Sequence, residues 1–514
     1  MCIRNPRFRV IHFTWNIVSF YKGRHKMELK KRYTSFVNGE FIEETGDEYT
    51  RADCSPSSGE ELATLVHSDA KVLNESVDAA RAAFESWGNS AREERSRILN
   101  KMADIIDDNK DYLASIEARD VGKPIGEATL QMGLCSSMYR YFAASILSQD
   151  EAMFVHDNGS ISAILREPLG VVGLILPWNA PAMLLSWKAA PALAAGNTVI
   201  VKPSGESPLV VLELARLWAD VIPAGVFNVL VGSGSGIGEA MLHHPGINKF
   251  SFTGSTEIGK HVGEVTGGNV VPCTLELGGK SANIIFADAQ LDRALQFSML
   301  AILSTAGEVC VGGSRLLVQD EIYDEFVGKL VAKFEGLRVG SPLDPEMQVG
   351  PVISEAQMNK VLNYIEIGKN EGAKLLCGGY RLTGGEYDNG WYIQPTIFEA
   401  TNDMCIAREE IFGPVLTVIR FKTEEEAVAI ANDSDYGLGA ALWTRDMSRS
   451  IRVGRALAAG TVWVNDYLTS TPGNPFGGYK KSGIGREIHK IALSYYTNVK
   501  NLCFCPDESV PPLF

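Results

Sequence analysis

Apolar and polar residues change their period several times along this chain, and each change marks an element. From about residue 75 to 120, Val77, Ala80, Ala83 and Phe84, then Ile98, Met102, Ile105 and Ile106, recur at helical spacing among charged residues. That spacing predicts helices packed by one face against a sheet. Between residues 171 and 286, short β-rich runs (VVGLIL, NTVIVK, VFNVLV, KFSFTG and ANIIF) alternate with helical stretches such as SPLVVLELARLWADV. The alternation predicts a parallel, doubly wound sheet, with strands buried on both faces where the runs are apolar on both faces. A second series begins near residue 287 and runs to about 480. It comprises a helix over 291–304, the strand SRLLV, the helix YDEFVGKLVAKFEGL, then LTVIRF, EEAVAIAND, GAALWT and TVWVND. It predicts a second α/β domain.

Residues 152–167, AMFVHDNGSISAILRE, fall outside both series and read as two strands joined at Asp157-Asn158-Gly159, because Asn and Gly tolerate positive φ. Such a hairpin is a candidate arm for pairing with another subunit, or else a surface flap. The first 26 residues carry Arg4, Arg7, Arg9, Lys22, Arg24 and Lys26 and no acid. They read as a transit peptide or as sequence upstream of a start at Met27, and are set aside from the fold.

The composition narrows the function. A chain of 514 residues, 45% hydrophobic and 21% charged, is long enough for more than one core. A formal net charge of −14 leaves no basic stripe for nucleic acid, and no apolar run approaches the length of a membrane span. Nine scattered cysteines without CxxC pairs or zinc spacing point to a reducing, cytoplasmic setting and to no metal site.

Three positions suggest covalent chemistry on a carbonyl. Cys310 lies in AGEVCVGGSR, where Gly307, Gly312 and Gly313 let backbone approach a substrate. Taken alone, such a cysteine also fits a small buried hydrophobe. Glu276 in LELGGK ends an apolar strand run, where an acid gains nothing from packing and faces either a cleft or solvent. Asn179 in LPWNAP ends another strand run; its amide suits an oxyanion donor or a turn.

The chain resembles the aldehyde dehydrogenase superfamily. PWN (177–179), KPS (202–204), FTGST (252–256), ELGGK (276–280), Cys310, EEIFGPV (409–415) and PFGGYKKSG (475–483) occur in that family's order, over residues 33 to 500. Thirty-four residues separate Glu276 from Cys310, as in hydrolytic members. The resemblance implies Cys310 as nucleophile, Asn179 as oxyanion donor and Glu276 as the base that activates water, with Lys188 and Glu487 as proton-relay or structural participants. The reaction implied is oxidation of an aldehyde to the acid through a thioester on Cys310. The alternative is a coenzyme A-acylating relative, against which Glu276 stands.

It further implies two doubly wound domains and an arm. Residues 27–150 and 169–278 bind NAD(P), 279–480 form the catalytic domain, and 151–168 with 481–514 form an oligomerisation arm for a homodimer or homotetramer. Ile175, Leu176, Trp178, Lys202, Ser204, Gly232, Gly238, Phe252, Ser255, Leu277, Glu410 and Phe412 are assigned to the cofactor. The loop Gly232–Gly238 follows a strand run and opens a helix, but is not the GxGxxG fingerprint. Many NAD-using relatives carry an acid directly after KPS, whereas this chain reads Gly205-Glu206, and no additional Arg or Lys stands near in sequence. NAD and NADP both remain open. Met183, Trp187, Val309, Val311, Tyr467 and Phe476, with Ala180, Leu184 and Ser304, suggest an apolar, partly aromatic pocket for a medium-sized aldehyde.

Overall fold

In the computed structural model, residues 28–43 and 49–505 are described. The basic extension over 1–26 lies outside them. The first alternating series forms an eight-stranded sheet. In spatial order its strands are Gly483–Ile484, Cys273–Glu276, Lys249–Thr253, Val171–Ile175, Thr198–Lys202, Phe227–Val229, Phe36–Val37 and Glu40–Phe41. The five central strands are parallel, and antiparallel strands close both edges. Phe250, Phe252, Val171 and Ile200 pack toward the helices Ala70–Trp87 and Thr256–Gly268. Val172, Leu174, Val199 and Val201 pack toward Arg92–Asp108, Ile125–Leu147, Pro181–Ala194 and Leu209–Trp218. Both faces are covered, as a parallel sheet requires.

The second series forms a seven-stranded sheet of Lys374–Cys377, Thr396–Glu399, Val415–Phe421, Arg315–Gln319, Ala282–Ile285, Gly439–Trp443 and Thr461–Val464. All are parallel but the first. The run ANIIF, expected with the first series, is a central strand here. The chain leaves the first sheet at Glu276 and crosses through Gly278 and Gly279 before it. KFSFT also differs from a run apolar on both faces. Lys249, Ser251 and Thr253 alternate with the two phenylalanines, yet all five side chains are buried.

The hairpin exists: Met153–Val155 pairs antiparallel with Ile161–Pro168, and Thr497–Phe504 adds a third strand. Gly159 takes the left-handed turn (φ +79°), whereas Asn158 keeps negative φ. Asn158 instead accepts from the backbone N–H and hydroxyl of Ser160 through its amide oxygen. Residues 481–514, assigned together to the arm, divide. Gly483–Ile484 rejoins the first sheet, Thr497–Phe504 lies in the arm, and residues 506–514 fall outside the described residues.

A buried arginine fastens the second sheet at its N-terminal edge. Arg315 donates through Nε to the Lys280 carbonyl, through Nη1 to Asn402 Oδ1 and the Ile430 carbonyl, and through Nη2 to the Ala431 carbonyl, each at 2.9 Å. Removing it strands several buried acceptors, each costing about 1–3 kcal/mol. Arg315→Leu is therefore expected to destabilise by about 3 kcal/mol or more, read as a drop of several degrees in the thermal midpoint. An unchanged midpoint would show that the clasp contributes nothing.

Candidate active site

Strand ends dictate where the chemistry collects. Ile175, Lys202, Thr253 and Glu276 all sit at the C-terminal ends of parallel strands of the first sheet, where such folds bind ligands. Cys310 and Glu410 lie in loops that lead into Arg315–Gln319 and Val415–Phe421 of the second sheet. The site is the seam between the sheets.

The two glycines of ELGGK make that seam possible. A Cβ on Gly279 would lie 2.3 Å from the Cys310 carbonyl oxygen, and one on Gly278 would lie 2.4 Å from Glu410 Oε2. Without side chains, the chain passes flat against both. The Gly279 N–H then donates to Glu410 Oε1 at 2.9 Å, fixing that carboxylate.

The loop carrying Cys310 is conformationally unusual. After the Leu291–Leu303 helix, Thr305 (φ 44°), Ala306 (φ 50°) and Gly307 (φ 78°) are left-handed in succession. Glu127 of the Ile125–Leu147 helix accepts from the Thr305 N–H at 2.9 Å and from its hydroxyl at 2.5 Å. The Glu308 carbonyl then accepts from Asn179 Nδ2 at 2.7 Å, which orients the amide and leaves its second N–H for an oxyanion. Burial first, then the charges of Glu410 and Glu276, push the Cys310 thiol up to about 12.

Glu276 is buried, and neither carboxylate oxygen has a hydrogen-bond partner among the described residues. Burial, and next the Glu487 carboxylate, raise it well above the usual range. Lys188, from the middle of the Pro181–Ala194 helix, donates to Glu487 Oε1 and, at 3.2 Å, to the Ser251 hydroxyl. Thr274 donates to Ser251 at 3.0 Å, and Lys249 donates to Thr274 at 3.4 Å. Lys188 and Glu487 thus form a buried ion pair behind Glu276, in a polar line along two strands.

Most residues assigned to the cofactor lie at the strand ends and loops of the first sheet, with Glu410 and Phe412 coming from the second. Trp178 stands edge-on to Phe412, with centroids 5.2 Å apart, and Phe412 holds φ 60° while its carbonyl accepts from Gln357 Nε2 at 2.6 Å. Ser255 caps the thirteen-residue helix Thr256–Gly268, accepting from the Ile258 N–H, so that helix turns its N-terminus to the cleft as an anion would require. Leu277 packs where a Cβ on Gly259 would be, and Phe252 lies beneath Gly254. Lys202 ends its strand with Cδ and Cε 3.6 Å from a Cβ on Gly238, and the Leu176 N–H donates to the Lys202 carbonyl. These groups fit a dinucleotide. The loop Gly232–Gly238 does not open a regular helix: Gly234–Gly238 is one π turn, followed by the four-residue helix Glu239–Leu242. Ile237 packs against Gly232 and forces the wide turn.

The aromatic pocket residues also converge. Trp187 and Phe476 lie 4.9 Å apart, and Tyr467 stacks on Trp463 while its hydroxyl donates to the Val311 carbonyl at 2.9 Å. Met183 and Val309 are half-buried beside them, and Ala180 and Leu184 are buried. Ser304 turns its hydroxyl back to the Leu300 carbonyl.

Several residues of this region escape the sequence reading. Glu127, Gln357, Ser251 and Thr274 carry no local motif, and Arg51 reaches Gly205 from a strand far away in sequence. Thus a basic side chain does stand near KPS.

Comparison with known proteins places the chain firmly. The model of the aldehyde dehydrogenase family matches residues 41–502. An aldehyde dehydrogenase of Vibrio cholerae serotype O1 is 43% identical over 484 residues, covering 93% of this chain and 95% of its own. The structure of the aldehyde dehydrogenase KauB from Pseudomonas aeruginosa superposes with a TM-score of 0.90 at 42% identity, covering 93% of this chain and 97% of its own. The betaine aldehyde dehydrogenase of Staphylococcus aureus in complex with NAD+ superposes with a TM-score of 0.92 at 36% identity, covering 95% and 97%.

The buried thiol generates a direct test. Because only the thiolate is nucleophilic, alkylation of Cys310 by iodoacetamide, followed by mass spectrometry, is expected to accelerate about tenfold per pH unit with no plateau below about pH 10. Glu276→Gln is expected to move the profile to lower pH. A plateau near pH 8 in the cofactor-free protein would contradict the burial argument.

Proposed function

The chain belongs to the aldehyde dehydrogenase family, and within this NAD(P)-dependent family we propose a hydrolytic enzyme that converts an aldehyde to its carboxylic acid through a thioester on Cys310. The observation that carries this reading is Glu276, a buried carboxylate with no partner, close enough to Cys310 for its charge to raise the thiol. An unpartnered acid at that place serves no packing purpose, and it suits the abstraction of a proton from water.

In this reading the layer formed by residues 27–150 and 169–278 holds the cofactor, and residues 279–480 present the nucleophile. Cys310 Sγ adds to the carbonyl carbon. The developing oxyanion accepts from the free N–H of the Asn179 amide and from the Cys310 backbone N–H. Bound NAD(P) supplies the hydride acceptor, whose cationic ring also favours the thiolate. Glu276 then takes a proton from the attacking water, the C–S bond breaks, and the acid leaves. The Glu487 carboxylate, held by Lys188, is the group behind Glu276 that receives the proton. The aromatic lining of Trp187, Tyr467 and Phe476 favours a medium-sized apolar or aromatic aldehyde.

We also read the arm as a self-association surface. Met153, Phe154 and Val155 on the hairpin, with Val499, Leu502 and Phe504 on the third strand, are large apolar side chains left exposed, on a small sheet with open edges. A closed homodimer or homotetramer covers such a face.

Two outcomes test these readings. Cys310→Ala is expected to abolish reduced-cofactor formation, whereas Glu276→Gln keeps a first-turnover burst and loses about a hundredfold or more in steady-state rate. Rapid-mixing absorbance at 340 nm over an aldehyde panel reads both; an undiminished steady state in Glu276→Gln, or acyl-CoA as product when coenzyme A is added, overturns the hydrolytic reading. For the arm, Val155→Asp with Val499→Asp is expected to yield a smaller species by light scattering. A wild-type protein that is already monomeric at micromolar concentration refutes it.

A further inference from the structure

Arg51, Lys202 and His67 gather at one end of the first sheet's C-terminal edge, with Glu206, Asp53 and Asp120 among them. Lys202 ends the second strand of the crossover Val171–Ile175, Pro181–Ala194, Thr198–Lys202. In nucleotide-binding sheets of this kind, an acid near that position pairs with the hydroxyls of the adenosine ribose, and an arginine there accepts a 2′-phosphate instead. Here position 205 has no side chain. A Cβ on Gly205 would lie 3.1 Å from Arg51 Nη1, so the guanidinium occupies the space an acid at 205 would enter. Arg51 comes from Thr50–Cys54, a strand of a separate three-stranded sheet.

The neighbouring acids do not restore the ribose partner. Glu206 Oε1 is held by Arg51 Nη2 at 2.6 Å. Asp53 stands beside Asp120, and burial pushes both above the usual carboxylate range, Asp53 to about 7. That pair holds a proton and supplies less charge than two acids suggest. Around them stand Lys202, brought down to about 8 by burial and by Arg51, and His67, lowered by burial, Arg51 and Lys202. Arg51 and Lys202 thus press on one another and His67 is held toward its neutral form, while the Arg51 side chain stays 40% exposed and its Nη1 faces the opening at 205.

We infer that this chain selects the 2′-phosphorylated cofactor, NADP, and that Arg51 is the residue that reads the phosphate, with Lys202 behind it and Gly205 leaving the room. A planar guanidinium matches a phosphate face through two N–H groups, and a phosphate dianion relieves the repulsion between Arg51 and Lys202. The inference rests on the reading of the first sheet as the cofactor layer.

Binding of adenosine fragments tests it without turnover. Calorimetry on the full chain with 5′-ADP and with 2′,5′-ADP is expected to give a dissociation constant about tenfold or more lower for 2′,5′-ADP. Arg51→Met is expected to erase that ratio, Arg51→Lys to keep part of it, and Gly205→Glu to turn preference toward 5′-ADP. Thermal midpoints of the variants establish that each is folded, and the Gly205 variant answers independently if an Arg51 variant is not. Equal affinities in the wild type, a preference for 5′-ADP, or a ratio that survives Arg51→Met overturns the inference. Failure of both fragments to bind at millimolar concentration overturns it too, and takes the cofactor-layer reading with it.

Discussion

Two α/β layers meet at a point where no side chain can stand. Gly279 lies against the Cys310 carbonyl at a separation that would place a Cβ 2.3 Å from the oxygen, and Gly278 lies as close to the Glu410 carboxylate. Any other residue at 279 pushes the first sheet away from the loop that carries Cys310, and one at 278 displaces the Glu410 carboxylate. Glu276 on Cys273–Glu276 and Cys310 before Arg315–Gln319 belong to different sheets and come within electrostatic reach across this contact. Glu410 gains its hydrogen bond to the Gly279 N–H through the same absence. The geometry of the site is therefore set first by backbone approach, and side-chain chemistry follows from it.

Burial then decides how the charged groups behave. Glu276 has lost water without gaining a partner, so its neutral form is favoured, and the nearby Glu487 adds to that effect. Glu487 is itself held by Lys188 in a buried ion pair. Leaving a polar group unpaired in an interior costs about 1–3 kcal/mol, so an orphaned acid here is a stability loss that packing alone does not explain. The same desolvation raises the Cys310 thiol to about 12, which favours the thiol over the reactive thiolate.

Much of this was readable in the sequence because strand ends and glycine pairs leave local signatures. PWN, KPS and ELGGK each close an apolar run, and the structure puts all three at the C-terminal edge of one sheet. What escaped reading came from contacts between segments distant in sequence. KFSFT shows a strand with one polar face, which pattern alone assigns to solvent. Tertiary packing instead buries Ser251 and Lys249 against Lys188 and Thr274. Arg51 lies on a five-residue strand with no motif, and only pairing with Glu206 brings it to Gly205. ANIIF was legible as a strand but not as a member of the second sheet, since period cannot tell which of two parallel sheets a buried run joins.

The loop before Cys310 shows why local preference is a poor guide at such a site. A left-handed L-residue costs roughly 1–2 kcal/mol, and Thr305 and Ala306 are both left-handed, the first of them β-branched. Local sequence would not choose this path. Glu127 offsets it, since hydrogen bonds to a charged acceptor contribute about 1.5–3 kcal/mol each and Glu127 accepts two from Thr305. Gly307 completes the turn where a Cβ would lie 2.2 Å from the Gly413 carbonyl oxygen. The two magnitudes are comparable, so the loop is held by a carboxylate from another helix and by close backbone packing. A conformation fixed in this way keeps the Glu308 carbonyl on Asn179 and the thiol at the seam, and it places the strain of the fold beside the atom that reacts.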